Sequence, residues 1–170
     1  TCTACHLCVS YCPMRVLQPS VTKYGLKGFM QPYMDYSVSY CNFECTRCTR
    51  VCPSGALTKV SHEEKKTLQL GIVRFIKENC IVYLNEKSCG ACAEHCPTAA
   101  VTMVPYKDIL TIPTTVESIC IGCGACESVC PARPQKAILV DANPIHKVAD
   151  KPAEKKSEEP ANDQKEDFPF

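Results

Sequence analysis

The sequence predicts a small α+β protein in which four cysteine-rich loops alternate with short helices and short β-hairpins. Sixteen of its 170 residues are cysteine and 13 are proline. The cysteines fall into four groups that recur about every 40 residues, and short apolar runs separate them. Hydrophobic residues make up 45% of the chain only when cysteine is counted among them. Because the remaining apolar core is thin for this length, we expect something besides apolar burial to stabilise the fold.

Each group contains four cysteines and ends in a Cys-Pro pair. In the first and last groups three thiols lie within seven residues. Such spacing directs several sulfurs into one small volume, which suits a shared metal centre better than separate long-range disulfide bonds. An extracellular disulfide framework is therefore disfavoured. The four groups are Cys2, Cys5, Cys8, Cys12; Cys41, Cys45, Cys48, Cys52; Cys80, Cys89, Cys92, Cys96; and Cys120, Cys123, Cys126, Cys130.

The spacing also indicates which metal is bound. Groups one and four read C-x2-C-x2-C-x3-C-P, the run that holds [4Fe–4S] clusters in bacterial ferredoxins, where the fourth cysteine ligates the other cluster. Three thiolates of one short loop can reach three irons of a cube, while the fourth iron faces away and needs a distant ligand. Structural zinc sites instead use Cys-x2-Cys pairs about 15–20 residues apart. We therefore predict four [4Fe–4S] clusters, with all sixteen cysteines as iron ligands.

The segments between the groups predict the secondary structure. Proline fixes φ and suits the first turn of a helix, so we expect a short helix after each group, beginning at Pro13, Pro53, Pro97 and Pro131. The apolar runs at residues 72–76 and 109–112 are expected to be strands leading into groups three and four. Residues 61–64 read as a capped helical turn on the solvated surface.

The last stretch, residues 142–170, consists mostly of Lys, Glu, Asp, Pro and Ala. Such a composition buries too little apolar area to offset chain entropy, so we expect a charged, disordered tail after a cluster domain of residues 1–141. The chain begins Thr1-Cys2, directly at the first motif, and we expect it to be a piece of a longer protein. It contains no run of about 18 apolar residues, the length that spans a membrane.

Charge excludes one class of partner and predicts another. The formal net charge is only +1, which argues against a polybasic nucleic-acid binder. Each oxidised cluster with its four thiolates carries a charge of about −2, so four clusters bring the chain to about −7. We therefore expect partner proteins that present basic patches and bind with salt-sensitive rates.

Two other functions use the same chemistry. The spacing Cys41-x3-Cys45-x2-Cys48 is that of radical S-adenosylmethionine enzymes, which leave one iron open for substrate. Against this reading, Cys52 completes a ferredoxin motif, Arg47 stands where those enzymes usually place an aromatic residue, and a full barrel takes about 200 residues. The second alternative is a structural iron–sulfur module whose clusters only hold a docking surface.

The motifs also resemble a known family. The string YCNFECTRCTRVCPSGAL and the long Cys80-x8-Cys89 gap resemble four-cluster ferredoxin-type proteins of the MauM/NapG kind over residues 1–141. CTACHLCVSYCP and CGACAEHCP are similar, more particularly, to the C-terminal polyferredoxin domain of NapH-like membrane proteins, in which transmembrane helices precede the clusters. This resemblance implies an electron carrier rather than an enzyme. The resemblance also implies that this carrier works between a quinol-linked donor and a reductase or other acceptor.

The resemblance also implies partners and a location. The partners are redox proteins and a membrane quinol-oxidising portion upstream in the same or a neighbouring chain. Reduced thiols and cluster assembly favour the cytoplasm or the cytoplasmic side of the membrane, while a periplasmic, membrane-attached location is the alternative.

Related four-cluster subunits exchange their fourth cysteines in a nested way, group one with four and two with three. This implies an outer module of residues 1–37 plus 105–141 and an inner module of residues 38–104. The sequential alternative pairs group one with two and three with four. The nested ligand sets are Cys2, Cys5, Cys8, Cys130; Cys120, Cys123, Cys126, Cys12; Cys41, Cys45, Cys48, Cys96; and Cys80, Cys89, Cys92, Cys52.

Overall fold

The computed structural model of the chain describes residues 1–151 and consists of short elements joined by the cysteine-rich loops. It confirms the predicted combination of short helices and small antiparallel sheets. Within residues 1–151, no helix combines the length and apolar character needed to cross a membrane. The helices are α1 (Leu7–Ser10), α2 (Arg47–Val51), α3 (His62–Thr67), α4 (Ile81–Asn85), α5 (Ala91–Glu94) and α6 (Ala125–Val129); the strands are β1 (Leu17–Pro19), β2 (Pro32–Met34), β3 (Leu68–Phe75), β4 (Val101–Pro105), β5 (Thr111–Thr115) and β6 (Ile138–Val148).

Each cysteine group carries a helix inside its motif, and the helix ends one or two residues before the last cysteine. The prediction that the helices begin at the prolines is therefore wrong, since a turn or irregular segment follows each Cys-Pro pair. The physical reason is that proline excludes the preceding residue from helical conformation. Cys52 and Cys130 accordingly have extended ψ values of 109° and 121° and terminate α2 and α6.

The strands form three two-stranded antiparallel sheets, β1–β2, β3–β6 and β4–β5. The strand predicted at residues 72–76 lies within β3 except for its last residue. The strand predicted at residues 109–112 is only partly right, because β5 begins at Thr111 and Ile109 is 96% exposed. The longest pairing joins β3 to β6, from Phe75 opposite Ile138 to Leu68 opposite Val148.

The β3–β6 pairing corrects the predicted tail. Residues 142–148 were expected to be disordered, but they belong to β6, and Gly71 pairs with Ala142 in the sheet. Antiparallel pairing with β3 supplies backbone hydrogen bonds that stabilise this segment as a strand. Because those bonds depend on a partner strand, the polar composition of the segment does not predict them. The part of the tail at residues 152–170 lies outside the described residues.

The apolar core is small and is completed by cysteine. Val73, Val82, Ala100, Val101 and Ile138 are each at most 2% exposed and form the centre of the C-terminal half. Thiols from groups three and four are part of the same buried cluster. Cysteine side chains therefore make up part of the buried core.

The N-terminal and C-terminal halves meet at the loop of group four. Tyr40 and Phe43, from the approach to and the loop of group two, pack against a buried cluster that contains Ile121 and Ala125. The Tyr36 hydroxyl donates a 2.6 Å hydrogen bond to the carbonyl oxygen of Gly122. These contacts hold the loops of groups two and four together.

Gly122 allows an unusually close approach of two backbones at this contact. Its φ is +66°, and a Cβ atom there would lie 2.2 Å from the amide nitrogen of Gly71 in β3. Leu70 of the same strand donates a 2.9 Å hydrogen bond to the carbonyl oxygen of Ile121. Since only glycine has neither a φ penalty nor a Cβ here, the sequence at Gly122 is set by backbone packing.

Candidate metal centres

The sixteen cysteines come together as four sets of four thiols, each with three thiols from one group and one from a neighbouring group. Three sets line separate cavities. In the fourth, Cys96 comes from group three, and its charge acts on all three of Cys120, Cys123 and Cys126, whereas Cys41 of group two acts on Cys123 alone among them. We name the sets site 1 (Cys2, Cys5, Cys8, Cys52), site 2 (Cys12, Cys41, Cys45, Cys48), site 3 (Cys80, Cys89, Cys92, Cys130) and site 4 (Cys96, Cys120, Cys123, Cys126).

These sets contradict the nested pairing that the resemblance implied. Nesting places Cys130 with group one and Cys12 with group four, but Cys130 lies in site 3 and Cys12 in site 2. Likewise, Cys52 lies in site 1 rather than with group three. Groups one and two therefore exchange their last cysteines, as do groups three and four, which is the sequential alternative.

Helix packing explains the exchange. Helix α1 packs against α2, and α5 packs against α6. Each of these helices ends at or next to the last cysteine of its group, so packing in pairs carries that cysteine to the loop of the neighbouring group. The nested modules, residues 1–37 with 105–141 and residues 38–104, are consequently not the units that share cysteines.

Because the thiols are buried, ionising all four thiols of a set is unfavourable unless a cationic centre binds among them. Burial, reinforced by the charges of neighbouring thiols, raises the pKa of Cys48 to about 11 and that of Cys92 to about 11. Burial likewise raises the pKa of Cys123 to about 11. Four thiolates in one buried site repel one another unless a cationic centre lies among them. Soft thiolate donors of this kind fit an iron–sulfur core, whose binding releases the thiol protons.

Backbone amides supply further hydrogen bonds to the sulfurs. The amides of Ala4, Gly122 and Ala137 donate to Cys2, Cys120 and Cys130 over 3.5, 3.3 and 3.4 Å, respectively. At Cys52, backbone hydrogen bonds, the strongest from Leu57, lower the pKa of the thiol. Amide donors of this kind stabilise thiolate charge and tune the potential of a bound cluster.

No site for a single metal ion is recognisable among residues 1–151. No group of three or more His, Cys, Asp or Glu side chains in that range is arranged to hold one metal ion.

Contacts between their helices and loops connect the sites in the order 1, 2, 4, 3. Sites 1 and 2 share the α1–α2 pair, and sites 4 and 3 share the α5–α6 pair. Between the two pairs, the amide of Cys41 donates a 2.8 Å hydrogen bond to the carbonyl oxygen of Cys123. A hydrogen bond between two ligand loops thus connects site 2 directly to site 4.

Sequence reasoning missed one residue beside site 2, Lys65 on α3. The predicted cap of this helix is present: the Glu64 amide donates to the Ser61 hydroxyl over 3.2 Å, and the Ser61 amide donates to the Glu64 carboxylate over 2.7 Å. The helix is not simply a solvated face, however, because Lys65 is only 4% exposed. Nothing in the run Lys65-Lys66 distinguishes the buried lysine from the half-exposed one.

Comparison with known proteins identifies the cysteine motifs independently. A family model described as a 4Fe-4S dicluster domain matches residues 1–56, 40–100 and 87–134. The chain is 29% identical over 137 residues to the ferredoxin-type protein NapG of Escherichia coli. It is 33% identical over 139 residues to the methylamine utilization ferredoxin-type protein MauM of Methylophilus methylotrophus. Each alignment covers 76% of this chain, which spans 59% of the length of each relative.

Proposed function

The chain belongs to the 4Fe-4S dicluster domain family of ferredoxin-type electron-transfer proteins, and on that premise we propose that it relays single electrons through four [4Fe–4S] clusters. Each cluster is held by one of sites 1–4, so that all sixteen cysteines are iron ligands. The observation that carries the proposal is that every one of the sixteen thiols falls into a set of four. Two consecutive dicluster modules, one with sites 1 and 2 and one with sites 3 and 4, form the domain.

A bound cluster of this type accepts and releases one electron while its bonds to the protein stay in place. The residues of the chain hold the clusters, donate hydrogen bonds to their sulfurs and surround them with apolar side chains. The order 1, 2, 4, 3 makes the arrangement a linear path. Its ends are site 1, where Cys5 is exposed, and site 3, next to the exposed side chains of Tyr83 and Leu84. Donor and acceptor proteins dock at these two ends.

The enzymatic alternative is less well supported. A radical S-adenosylmethionine enzyme would use Cys41, Cys45 and Cys48 and keep the fourth position open. In site 2 that position faces Cys12, which lies in the same cavity as the other three thiols. A fourth thiol in this place favours a carrier over a catalyst.

The partners follow from the relatives and from the charge. We propose a quinol-linked donor, supplied by a membrane portion upstream in the same or a neighbouring chain, as the likeness of the first and third motifs to NapH-like polyferredoxin domains implies. The acceptor is a reductase or another redox protein that presents basic side chains to a holoprotein with a charge of about −7. The domain works at the cytoplasmic side of the membrane, with attachment on the periplasmic side as the alternative.

Stepwise reduction tests this function. Anaerobic holoprotein titrated with dithionite is expected to take up about four electrons per chain and to return them to an oxidising dye, because each cluster carries one. Visible absorbance and electron paramagnetic resonance follow both directions. Clusters that stay oxidised at every dithionite concentration would contradict the relay and favour a structural docking module. Iron-depleted protein is the control for electrons consumed elsewhere.

A further inference from the structure

Lys65 is a buried cation without a counterion among the described residues. The residue is 4% exposed, and its Nζ atom has no hydrogen-bond partner of good geometry in residues 1–151. An unpaired ammonium in a low-dielectric interior is strongly unfavourable, so such a group normally faces an anion. The side chains of the described residues do not supply that anion, whereas an iron–sulfur cluster with four thiolates would.

Helix α3 is fastened to the loop of group two, which fixes the position of Lys65. His62 Nδ1 lies 2.8 Å from the Glu44 carbonyl oxygen, and Arg50 Nη2 lies 2.8 Å from His62 Nε2. Because the guanidinium can only donate, Nε2 accepts and Nδ1 donates. Lys66 adds ion pairs to Glu44 and Glu63 at 3.6 and 3.0 Å.

The thiol on which Lys65 acts is Cys41. Burial raises the pKa of the Cys41 thiol, while the charge of Lys65 acts in the opposite direction. Cys41 is also the residue whose amide binds the carbonyl oxygen of Cys123. Lys65 therefore lies beside the group-two loop, which is also the loop that contacts site 4.

We propose that Lys65 raises the reduction potential of the cluster at site 2 by placing a buried positive charge beside Cys41. The inference rests on the proposed binding of a cluster there. Reduction adds one negative charge to the site, and a nearby cation stabilises the reduced form more than the oxidised form. Lys65 thereby makes site 2 a favourable position for an electron in the middle of the path.

The test compares two neighbouring lysines on the same helix. Lys65→Met removes the buried charge with little change of volume, and Lys66→Met removes a half-exposed one. In redox titrations followed by electron paramagnetic resonance, Lys65→Met is expected to disfavour reduction of one cluster by tenfold or more, which is about 59 mV for one electron. Lys66→Met is expected to change the equilibrium constant for reduction of that cluster less than threefold, because solvent screens the charge of Lys66.

Two further variants test whether the change in potential depends on the charge of residue 65 and on the cluster at site 2. Lys65→Arg retains the charge and is expected to stay nearer to the wild-type potential than Lys65→Met. Cys12→Ala removes the cluster at site 2, and adding Lys65→Met to it is expected to leave the other potentials unchanged.

The outcomes separate this inference from the proposed function. Fully loaded Lys65→Met with wild-type potentials would overturn the inference while leaving the relay intact. An Arg variant shifted as far as the Met variant would overturn it as well. Where the Met variant cannot be loaded with iron, an Arg variant that disfavours reduction tenfold or more would overturn it. Wild-type protein without redox-active clusters would instead overturn the proposed function.

Discussion

Replacing Cys52 with alanine is expected to remove the cluster at site 1 and to leave the cluster at site 3 in place. Cys52 comes from group two, but it lines the cavity of Cys2, Cys5 and Cys8. A [4Fe–4S] cluster that loses one of four thiolates loses a strong bond and admits water to one iron, so oxidative loss follows. The three remaining thiols of the site then become free.

Alkylation of free thiols identifies the lost cluster. Cys52→Ala protein is exposed briefly to air so that the three-cysteine cluster is lost, returned to anaerobic buffer with a phosphine reductant and treated with iodoacetamide under native conditions. Peptide mass spectrometry then locates the label. Label on Cys2, Cys5 and Cys8 is the expected pattern, whereas label on Cys80, Cys89 and Cys92 would restore the nested pairing. Cys12→Ala is the matched control, because it changes the other exchanged cysteine of the same module and is expected to expose Cys41, Cys45 and Cys48 instead.

Replacing Gly122 with alanine is expected to destabilise the contact between the group-four loop and β3. An alanine at φ +66° costs about 1–2 kcal/mol in backbone conformation. Its Cβ would also lie 2.2 Å from the Gly71 amide nitrogen, and relieving such an overlap in a packed interior costs about 1–3 kcal/mol more. Together these terms should lower the Tm of the anaerobic holoprotein by on the order of 10 °C.

Gly55 provides a matched control for this substitution. Its φ is +65°, nearly that of Gly122, but nothing lies within 4 Å of the Cβ that alanine would add. Gly55→Ala should therefore show only the conformational cost, about 1–2 kcal/mol. Equal losses of Tm in the two variants would mean that the close approach of Gly122 to β3 contributes nothing to stability.

The cysteine spacing was sufficient to predict most of the fold class. Three thiols within a few residues restrict a loop to a path around one centre, so the loops could be recognised without any tertiary information. Helix positions were harder to predict, because proline suits the start of a helix and also ends a preceding one. In Cys52-Pro53 and Cys130-Pro131 the second effect prevails, since the helix lies between the cysteines and ends before the proline.

The pairing of the groups could not be derived from the sequence. Every group ends in the same C-x2-C-x3-C-P run, so the spacing around the last cysteine contains no information about which neighbour it serves. That choice depends on the packing of α1 with α2 and of α5 with α6, which is tertiary. The resemblance to nested subunits gave the wrong answer because similar motifs can be joined in either order.

The burial of Lys65 could not be predicted from the sequence for a related reason. Charged residues on short helices are usually solvated, and the composition of α3 gave no reason to treat it otherwise. Only the docking of α3 on the group-two loop, through His62 and Glu44, turns one of its two lysines inward. Likewise, residues 142–148 read as a polar tail because pairing with β3 depends on a partner strand some 70 residues earlier.

Metal and sulfide analysis of anaerobically purified protein tests the central claim most directly. Four sets of four thiols predict about sixteen iron atoms and about sixteen acid-labile sulfides per chain, with negligible zinc. Colourless protein, or protein loaded with zinc in place of iron, would contradict it.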